Sequence, residues 1–315
     1  MAFFRFGRKN RKKSDKTPKR RLAEYSGAES EYEMELVGSW QPVYYFIPAF
    51  ARPIRMPKPD AFEKALAHQL EYTDLVIGQL EREHSGERTC SWMLYGHQDS
   101  TGHGDRVCQL SITGPEIFDA EKWKAAIQLW HGEKRHELSA NQLRYSLTCS
   151  CTTSDSLCRV EQYGMIAHCA DVILQQFPDC IGIYWPHSQK LVTREFYRTP
   201  HWHSPELHFL DGGLHVRCLY DTDSNEELVD TLGLTAIGLP DLQCRCEGLD
   251  PARVAGFLRS VAAYLYQNGD VINDGDTLEG VDGGRWPCQH GNSLAKPRRR
   301  VLEICPVRPE ETVIV

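Results

Sequence analysis

Residues 232–279 read LGLTAIGLPDLQCRCEGLDPARVAGFLRSVAAYLYQNGDVINDGDTLE, and this stretch decides the fold class. Leu234–Leu239 is an apolar run interrupted by Gly238. It predicts a buried strand with a bulge or a close backbone approach at the glycine. Pro240-Asp241 bends the chain, and Leu242–Cys246 then alternates at period two, as a strand does. Asp250 followed by Pro251 marks a helix start, with the aspartate at N-cap and the proline at N1. Val254, Phe257, Leu258, Val261, Ala262 and Leu265 recur at helical spacing, so the helix buries one face. Asn268-Gly269 supplies its stop. An acidic, turn-rich loop follows. The unit is therefore α+β, and its neighbours must supply sheet for the helix to pack on.

Working outward, Val107–Thr113 and Leu143–Cys151 alternate like strands, and Ile181–Trp185 is a short apolar strand stopped by Pro186. Helices are predicted over Ala120–Trp130, with Trp123, Ile127 and Trp130 on one face, and over Ser156–Phe177. In the second half His208–Leu219 reads as a strand pair turning at Asp211-Gly212-Gly213. Trp286–His290 and Val301–Ile304 read as further strands. Upstream, Trp40–Phe50 is aromatic and proline-punctuated, an extended segment lying against the body. Pro53, Pro57 and Pro59 make a stiff connector. Asp60 caps a predicted helix over 61–83 carrying Phe62, Leu66, Leu70, Leu75, Ile77 and Leu80. His84–Arg106 reads as loop. The expected fold is two ferredoxin-like α/β blocks, 107–186 and 207–306, packed into one compact α+β domain. A basic and polar lead (1–35) and an extension (36–106) precede it, and a tail (307–315) follows.

The bulk numbers narrow the class. The chain has 315 residues, 41% of them hydrophobic, enough to bury a core. No apolar run is long enough to span a bilayer, so the expectation is a soluble, cytoplasmic protein. Residues 1–22 hold ten Lys/Arg and one acid, Asp15, so the remaining chain carries −16 of the net −7. Such a basic block is a solvated tail, or it touches nucleic acid or an anionic membrane, or it is a nuclear signal. The acidic body argues against nucleic-acid binding by the folded part. Twelve cysteines without a secretory signal predict reduced, partly buried thiols.

Three pieces of sequence carry a resemblance. They are Gly182-Ile183-Tyr184-Trp185 with Leu191–Phe196; Leu232–Leu242; and Asn268-Gly269 through Asp274-Gly275-Asp276-Thr277, with Trp286 and His290 after it. In this order they resemble a bacterial domain-of-unknown-function family, number 4261, over residues 107–306. The resemblance implies a compact α+β domain. It brings no assigned chemistry and no catalytic residues.

Several groupings have the residue types for chemistry. Tyr184, Trp185, Phe196, Tyr197 and Trp202 flank Arg194, Arg198 and His201, a composition found at binding hot spots and equally at a core edge. His201, His203 and His208 could ligate zinc with a distant cysteine, or could be titratable loop residues. Asp270, Asp274, Asp276, Glu279 and Asp282 could take a hard cation, although the EF-hand spacing fails at Ile272; the alternative is a loop whose carboxylates satisfy turns. Cys149 with Cys151, and Cys244 with Cys246, place thiol pairs on strands and could share a zinc ion if those strands were neighbours. Gly-rich phosphate loops, Gly-x-Ser-x-Gly and His-Glu-x-x-His are missing. The reading that follows is a non-catalytic interaction or ligand-binding module without cofactor. Tyr184, Trp185, Arg194, Phe196, Arg198 and Trp202 would meet a protein or small ligand. The alternative is a metal-dependent protein using His201, His203, His208, Asp274 or Asp276.

Overall fold

The computed structural model describes residues 43–71, 77–96, 106–118, 143–154, 157–221, 226–246 and 248–306. The predicted helix 120–130, the loop with His97, Asp99, His103 and Asp105, the basic lead and the C-terminal tail lie outside them. The chain divides into two compact units, the first formed by residues 41–214 and the second including everything from His215 on. No helix among the described residues is long and apolar enough to cross a membrane.

The first unit is built on β1 (Val43–Phe50), α1 (Pro59–Glu71), β2 (Ile77–Ser85), β3 (Thr89–Gly96), β4 (Arg106–Ile117), β5 (Tyr145–Thr153), α2 (Arg159–Gln176), β6 (Cys180–Trp185) and β7 (Lys190–Thr193). Two short helical turns, α3 (Arg194–Arg198) and α4 (Leu210–Gly213), follow. The strands make one antiparallel sheet in the order β2-β3-β4-β5-β1-β6-β7. The segment expected to lie against the body is thus an interior strand, since β1 pairs with β5 on one side and β6 on the other. Tyr44, Phe46 and Phe50 are each at most 2% exposed and meet Tyr163, Trp185 and Phe177. Burying three such rings in one strand outweighs the loss of a donor at Pro48.

Two other expectations upstream are corrected. The helix from Pro59 stops at Glu71, with Asp60 in its first turn rather than at its cap, and Ile77–Ser85 is a strand. The run Thr89–Gly96, expected as loop, is also a strand, because Cys90, Trp92, Met93 and Leu94 are buried in the sheet. Pairing with β3 overrides the helical preference of Leu80–Arg82. Phe62 of α1 stacks on Trp92 at 4.6 Å, and Glu63 accepts from Trp92 Nε1 at 2.9 Å and from Arg82 Nη2 at 2.8 Å.

The second unit contains β8 (His215–Asp221), β9 (Glu226–Leu232), β10 (Asp241–Arg245), α5 (Pro251–Asn268), β11 (Thr277–Glu279), β12 (Arg285–Asn292) and β13 (Arg300–Ile304). Its sheet runs β11-β12-β13-β10-β9-β8, parallel only between β10 and β13. The α5 helix forms as its sequence dictates. Asp250 accepts from the Ala252 N–H at 3.0 Å, Pro251 sits in the first turn, and Gly269 takes a positive φ of 87° at the stop. Val254, Leu258, Val261, Ala262 and Leu265 are buried, and Phe257 meets Trp286 edge-on at 5.3 Å.

The protein is α+β, but neither sheet has ferredoxin-like order. In the first, β1 separates β5 from β6, and β1–β3 join a sheet expected to start at Val107. In the second, Leu234–Leu239 is not a strand but a loop with a short helical turn over Thr235–Ile237, left at Gly238 with φ 76°. Asp241 draws that loop in, accepting from the Leu234 N–H and the hydroxyls of Thr231 and Thr235. Likewise Asp211-Gly212-Gly213 is the helical turn α4, not a hairpin turn.

Candidate functional site

The segment from Trp185 to Asp211 folds back on α2 and gathers most of the residues singled out as candidates. Trp185 ends β6, and Pro186–Ser188 form a buried turn in which the Nε2 atom of fully buried His187 accepts the Tyr45 N–H at 3.1 Å. After β7, Thr193 caps α3 by accepting from the Phe196 N–H at 3.0 Å. His201 Nε2 lies 2.9 Å from the Phe196 carbonyl, and its ring stacks on Phe196 at 4.0 Å. Lys190 Nζ sits 5.4 Å over the Phe196 ring while donating to the carbonyls of Asp211 and Leu214. Arg198 is exposed on the last turn of α3, and Trp202 is half-buried.

The six residues expected to form a contact surface are thereby divided. Tyr184 and Trp185 are 2% and 0% exposed and present no surface. Tyr184 packs with Ala49, Phe118, Leu143 and Leu191, and Trp185 with Phe46, Tyr197 and Phe209. Arg194 turns to the end of α2, donating to the carbonyls of Leu174 and Phe177 at 2.7 and 3.0 Å. There it satisfies helix-terminal acceptors and meets the negative end of the dipole. Phe196, Arg198 and Trp202 retain exposure, with His201 beside them.

Behind this surface His208 is held between two carboxylates. Its Nε2 is 3.2 Å from Asp171 on α2, and its Nδ1 is 3.1 Å from Asp211 on α4. Burial alone would lower its pKa, but the bonds to Asp171 and Asp211 prevail and raise it to about 9. His168, one turn before Asp171, bonds Gln69 at 3.2 Å, and its pKa is lowered, chiefly by burial. Sequence reasoning named His208 but neither partner. Asp171 is distant in sequence, and Asp211 was absorbed into a supposed hairpin turn.

The remaining candidates separate. His203 is exposed, and His208 is committed to its carboxylates. Asp274 accepts from the backbone N–H of His290 and faces its Nδ1, both at 2.8 Å, which holds its carboxyl below the usual range. His290 Nε2 is 3.1 Å from Asp270, which also receives Arg300. Asp276 accepts from the Asn273 N–H and Asp282 from the Gly284 N–H, each closing its own turn. Cys149 and Cys151 are buried on β5, and Cys244 and Cys246 at β10, so the two pairs lie on different sheets and are not strand neighbours. Among the described residues no three His, Cys, Asp or Glu side chains are grouped as a metal ion would need.

A second cluster has no local signature in the sequence. Arg217 of β8 forms a two-pronged pair with Asp230 of β9 at 2.9 and 2.7 Å and donates to the Lys296 carbonyl. Arg299, with a fully buried side chain, donates to Asp230 and to the carbonyls of Thr231 and Pro297, and its Nε lies 3.2 Å from Asp241. Burial opposes the Asp230 charge, yet Arg217 and Arg299 prevail and hold its carboxyl low. For Asp241 burial wins and pushes the carboxyl up. This network clamps the 293–300 loop over the sheet.

The fold defines an α+β protein with two antiparallel or mixed sheets. Residues 230–305 match the family model of a domain of unknown function, DUF4261. The match starts in β9 and runs just past β13. It therefore contains the Asp230–Asp241–Arg299 network and the His290 cluster, whereas the resembling pieces at Gly182–Trp185 and Leu191–Phe196 fall outside it. No curated protein and no solved structure matches the chain.

Proposed function

We propose that the chain is a non-catalytic binding module whose contact surface is the segment Phe196–Trp202, and that it takes a partner segment bearing carboxylates. The observation that carries this reading is the half-exposed Phe196–His201 stack, with the Lys190 ammonium over it and exposed Arg198 beside it. Aromatic and Arg side chains dominate binding energy, and a cation-rich patch on an otherwise acidic body selects an acidic partner. The only acidic residue in 190–203 is Glu195. Thr193 and Arg194 brace the surface from below, so little order is lost on binding.

The test is fluorescence anisotropy of labelled Glu-rich and Lys-rich peptides with the full chain and with a Phe196→Ala, Arg198→Ala variant. The basic lead contributes equally to both proteins, so their difference reads the segment alone. The Glu-rich peptide should bind about tenfold more weakly to the variant. Equal affinity for the two proteins overturns the reading.

A further inference from the structure

We infer that the loop 293–300, with the first residue of β13, is a second recognition site, which takes an extended peptide carrying phosphate groups on alternate residues. Residues 215–315 are acidic, with sixteen Asp/Glu against ten Lys/Arg. Residues 283–302 break that pattern: they contain no Asp or Glu, but hold Arg285, Lys296, Arg298, Arg299 and Arg300. Along Lys296-Pro297-Arg298-Arg299-Arg300 burial alternates. Pro297 and Arg299 are buried, Lys296 is half-buried, and Arg298 and Arg300 are exposed. Cations thus reach the surface at every second residue, while Arg299 serves the interior. Among the described residues neither the Lys296 ammonium nor the Arg298 guanidinium has an ionic partner, and Arg300 pairs with Asp270.

The buried network holds this loop from beneath. Arg217 Nη2 donates to the Lys296 carbonyl at 2.8 Å, and Arg299 donates to the carbonyls of Pro297 and Thr231, each at 2.8 Å. The Leu294 N–H donates to Gln243 Oε1 at 3.0 Å, and Ser293 Oγ accepts the Arg299 N–H at 3.1 Å. The backbone between the surface cations is therefore fixed before a ligand arrives, which lowers the ordering cost of binding. Residues two apart in an extended chain are about 7 Å apart. A peptide lying along the loop meets these cations at the same spacing. The guanidinium fork takes phosphate through two parallel N–H···O bonds, and a phosphate carries about 1.5 to 2 negative charges where a carboxylate carries one. On an acidic unit that density favours phosphate. The footprint is short, because Asp270 lies on Arg300 and Asp282 and Glu303 bound the acid-free stretch. A nucleic-acid duplex would run over those carboxylates. A single strand calls for stacking rings, and Trp286, the only Phe, Tyr or Trp of residues 283–302, is fully buried.

Fluorescence anisotropy tests the inference, with a labelled Gly/Ser peptide carrying phosphoserines two residues apart. The basic lead is common to every protein compared. The full chain should bind this peptide more tightly than the same peptide with glutamate at both positions. An Arg298→Gln, Arg300→Gln variant should bind it at least about tenfold more weakly. Its thermal unfolding should stay close to that of the parent, because both side chains are exposed. Arg299→Lys leaves the formal charge unchanged but loosens the loop, and below its unfolding temperature it should bind about threefold more weakly or worse. Undiminished binding by either of these variants overturns the inference. So does equal binding of the glutamate peptide, which would assign the loop to carboxylates. The Phe196→Ala, Arg198→Ala variant should bind the phosphopeptide as the parent does; a loss there would place the peptide on the other surface and overturn the inference without touching the earlier reading. A single-stranded RNA or duplex DNA oligonucleotide that loses more affinity than the phosphopeptide through Arg298→Gln, Arg300→Gln also overturns it.

Discussion

Gly212 lies against the face of the Trp185 indole so closely that a Cβ added there would fall 2.0 Å from Trp185 Cε2. Trp185 is fully buried and cannot move aside without displacing Phe46, Tyr197 and Phe209. Gly212→Ala should therefore destabilise the protein by about 1–3 kcal/mol, the usual cost of overpacking. Gly256 is the contrast. It sits on α5 with nothing within 4 Å of an added Cβ, and helix propensity alone decides. Gly256→Ala should stabilise by about 0.5–1 kcal/mol. Urea midpoints of the two variants should shift in opposite directions; a shared sign would refute the close approach.

The Asp171–His208–Asp211 clamp makes stability fall on the alkaline side. The folded pKa of His208 is raised above 6.5 to about 9. Its contribution is thus present in full below about pH 6.5 and is lost as pH rises through about 9. The ceiling on the loss is about 3 kcal/mol, before allowance for the facing groups His168 and Tyr197. His208→Gln should be less stable than the parent at pH 6 and should flatten the stability profile between pH 6.5 and 9. Chemical denaturation at several pH values measures both effects. If the variant keeps the parent's alkaline slope, His208 is not its source.

How much of this could be read beforehand depended on how local the cause was. The α5 helix was legible because its cap, its first-turn proline, its apolar spacing and its terminal glycine lie within twenty residues of one another. The α2 helix was legible for the same reason of spacing. Strand β1 was recognised as extended but not as central, because its position depends on Tyr44, Phe46 and Phe50 meeting rings more than a hundred residues away. Gly212 and Gly213 suggested a hairpin because glycine marks turns, but here they are glycines because Trp185 and Phe209 occupy the space of a side chain. At the candidate site, residue type pointed to His208, Phe196 and Arg198. It could not show that Trp185 and Tyr184 face inward or that Arg194 caps α2.

Arg299 and Arg300 are adjacent arginines in opposite circumstances, and removing each should show it. The Arg299 side chain is fully buried and serves Asp230, Asp241 and two carbonyls. Arg299→Ala leaves buried Asp241 without its arginine and Asp230 with Arg217 alone, and should cost about 3–5 kcal/mol. Arg300 is 62% exposed and pairs with Asp270. Arg300→Ala should cost under about 1 kcal/mol. Arg299→Lys keeps the charge but not the planar fork, and should recover only part of the loss. Thermal unfolding of the three variants ranks them. Equal effects of Arg299→Ala and Arg300→Ala would mean that the buried network does not hold the 293–300 loop.

No disulfide joins the twelve cysteines, and nine are buried. Burial pushes the thiol pKa of Cys180 and Cys288 to about 12 and of Cys246 to about 11. Cys151 is driven up first by its bonds to Cys108 and Cys169 and then by burial. Thiolate is the reactive form, so these groups resist both alkylation and exchange. Cys158 differs. It is the one exposed cysteine, at the start of α2, where its backbone N–H donates to Glu161 at 2.7 Å. A coloured disulfide reagent at pH 8 should therefore find Cys158 the fastest thiol in the native protein, half-buried Cys218 and Cys305 slower, and the nine buried thiols reacting only as the chain unfolds. Cys158→Ser should abolish the fast phase and leave the slow ones unchanged. Native-state reaction of more than these three thiols would mean that the cores around β5 and β10 open far more readily than their burial implies.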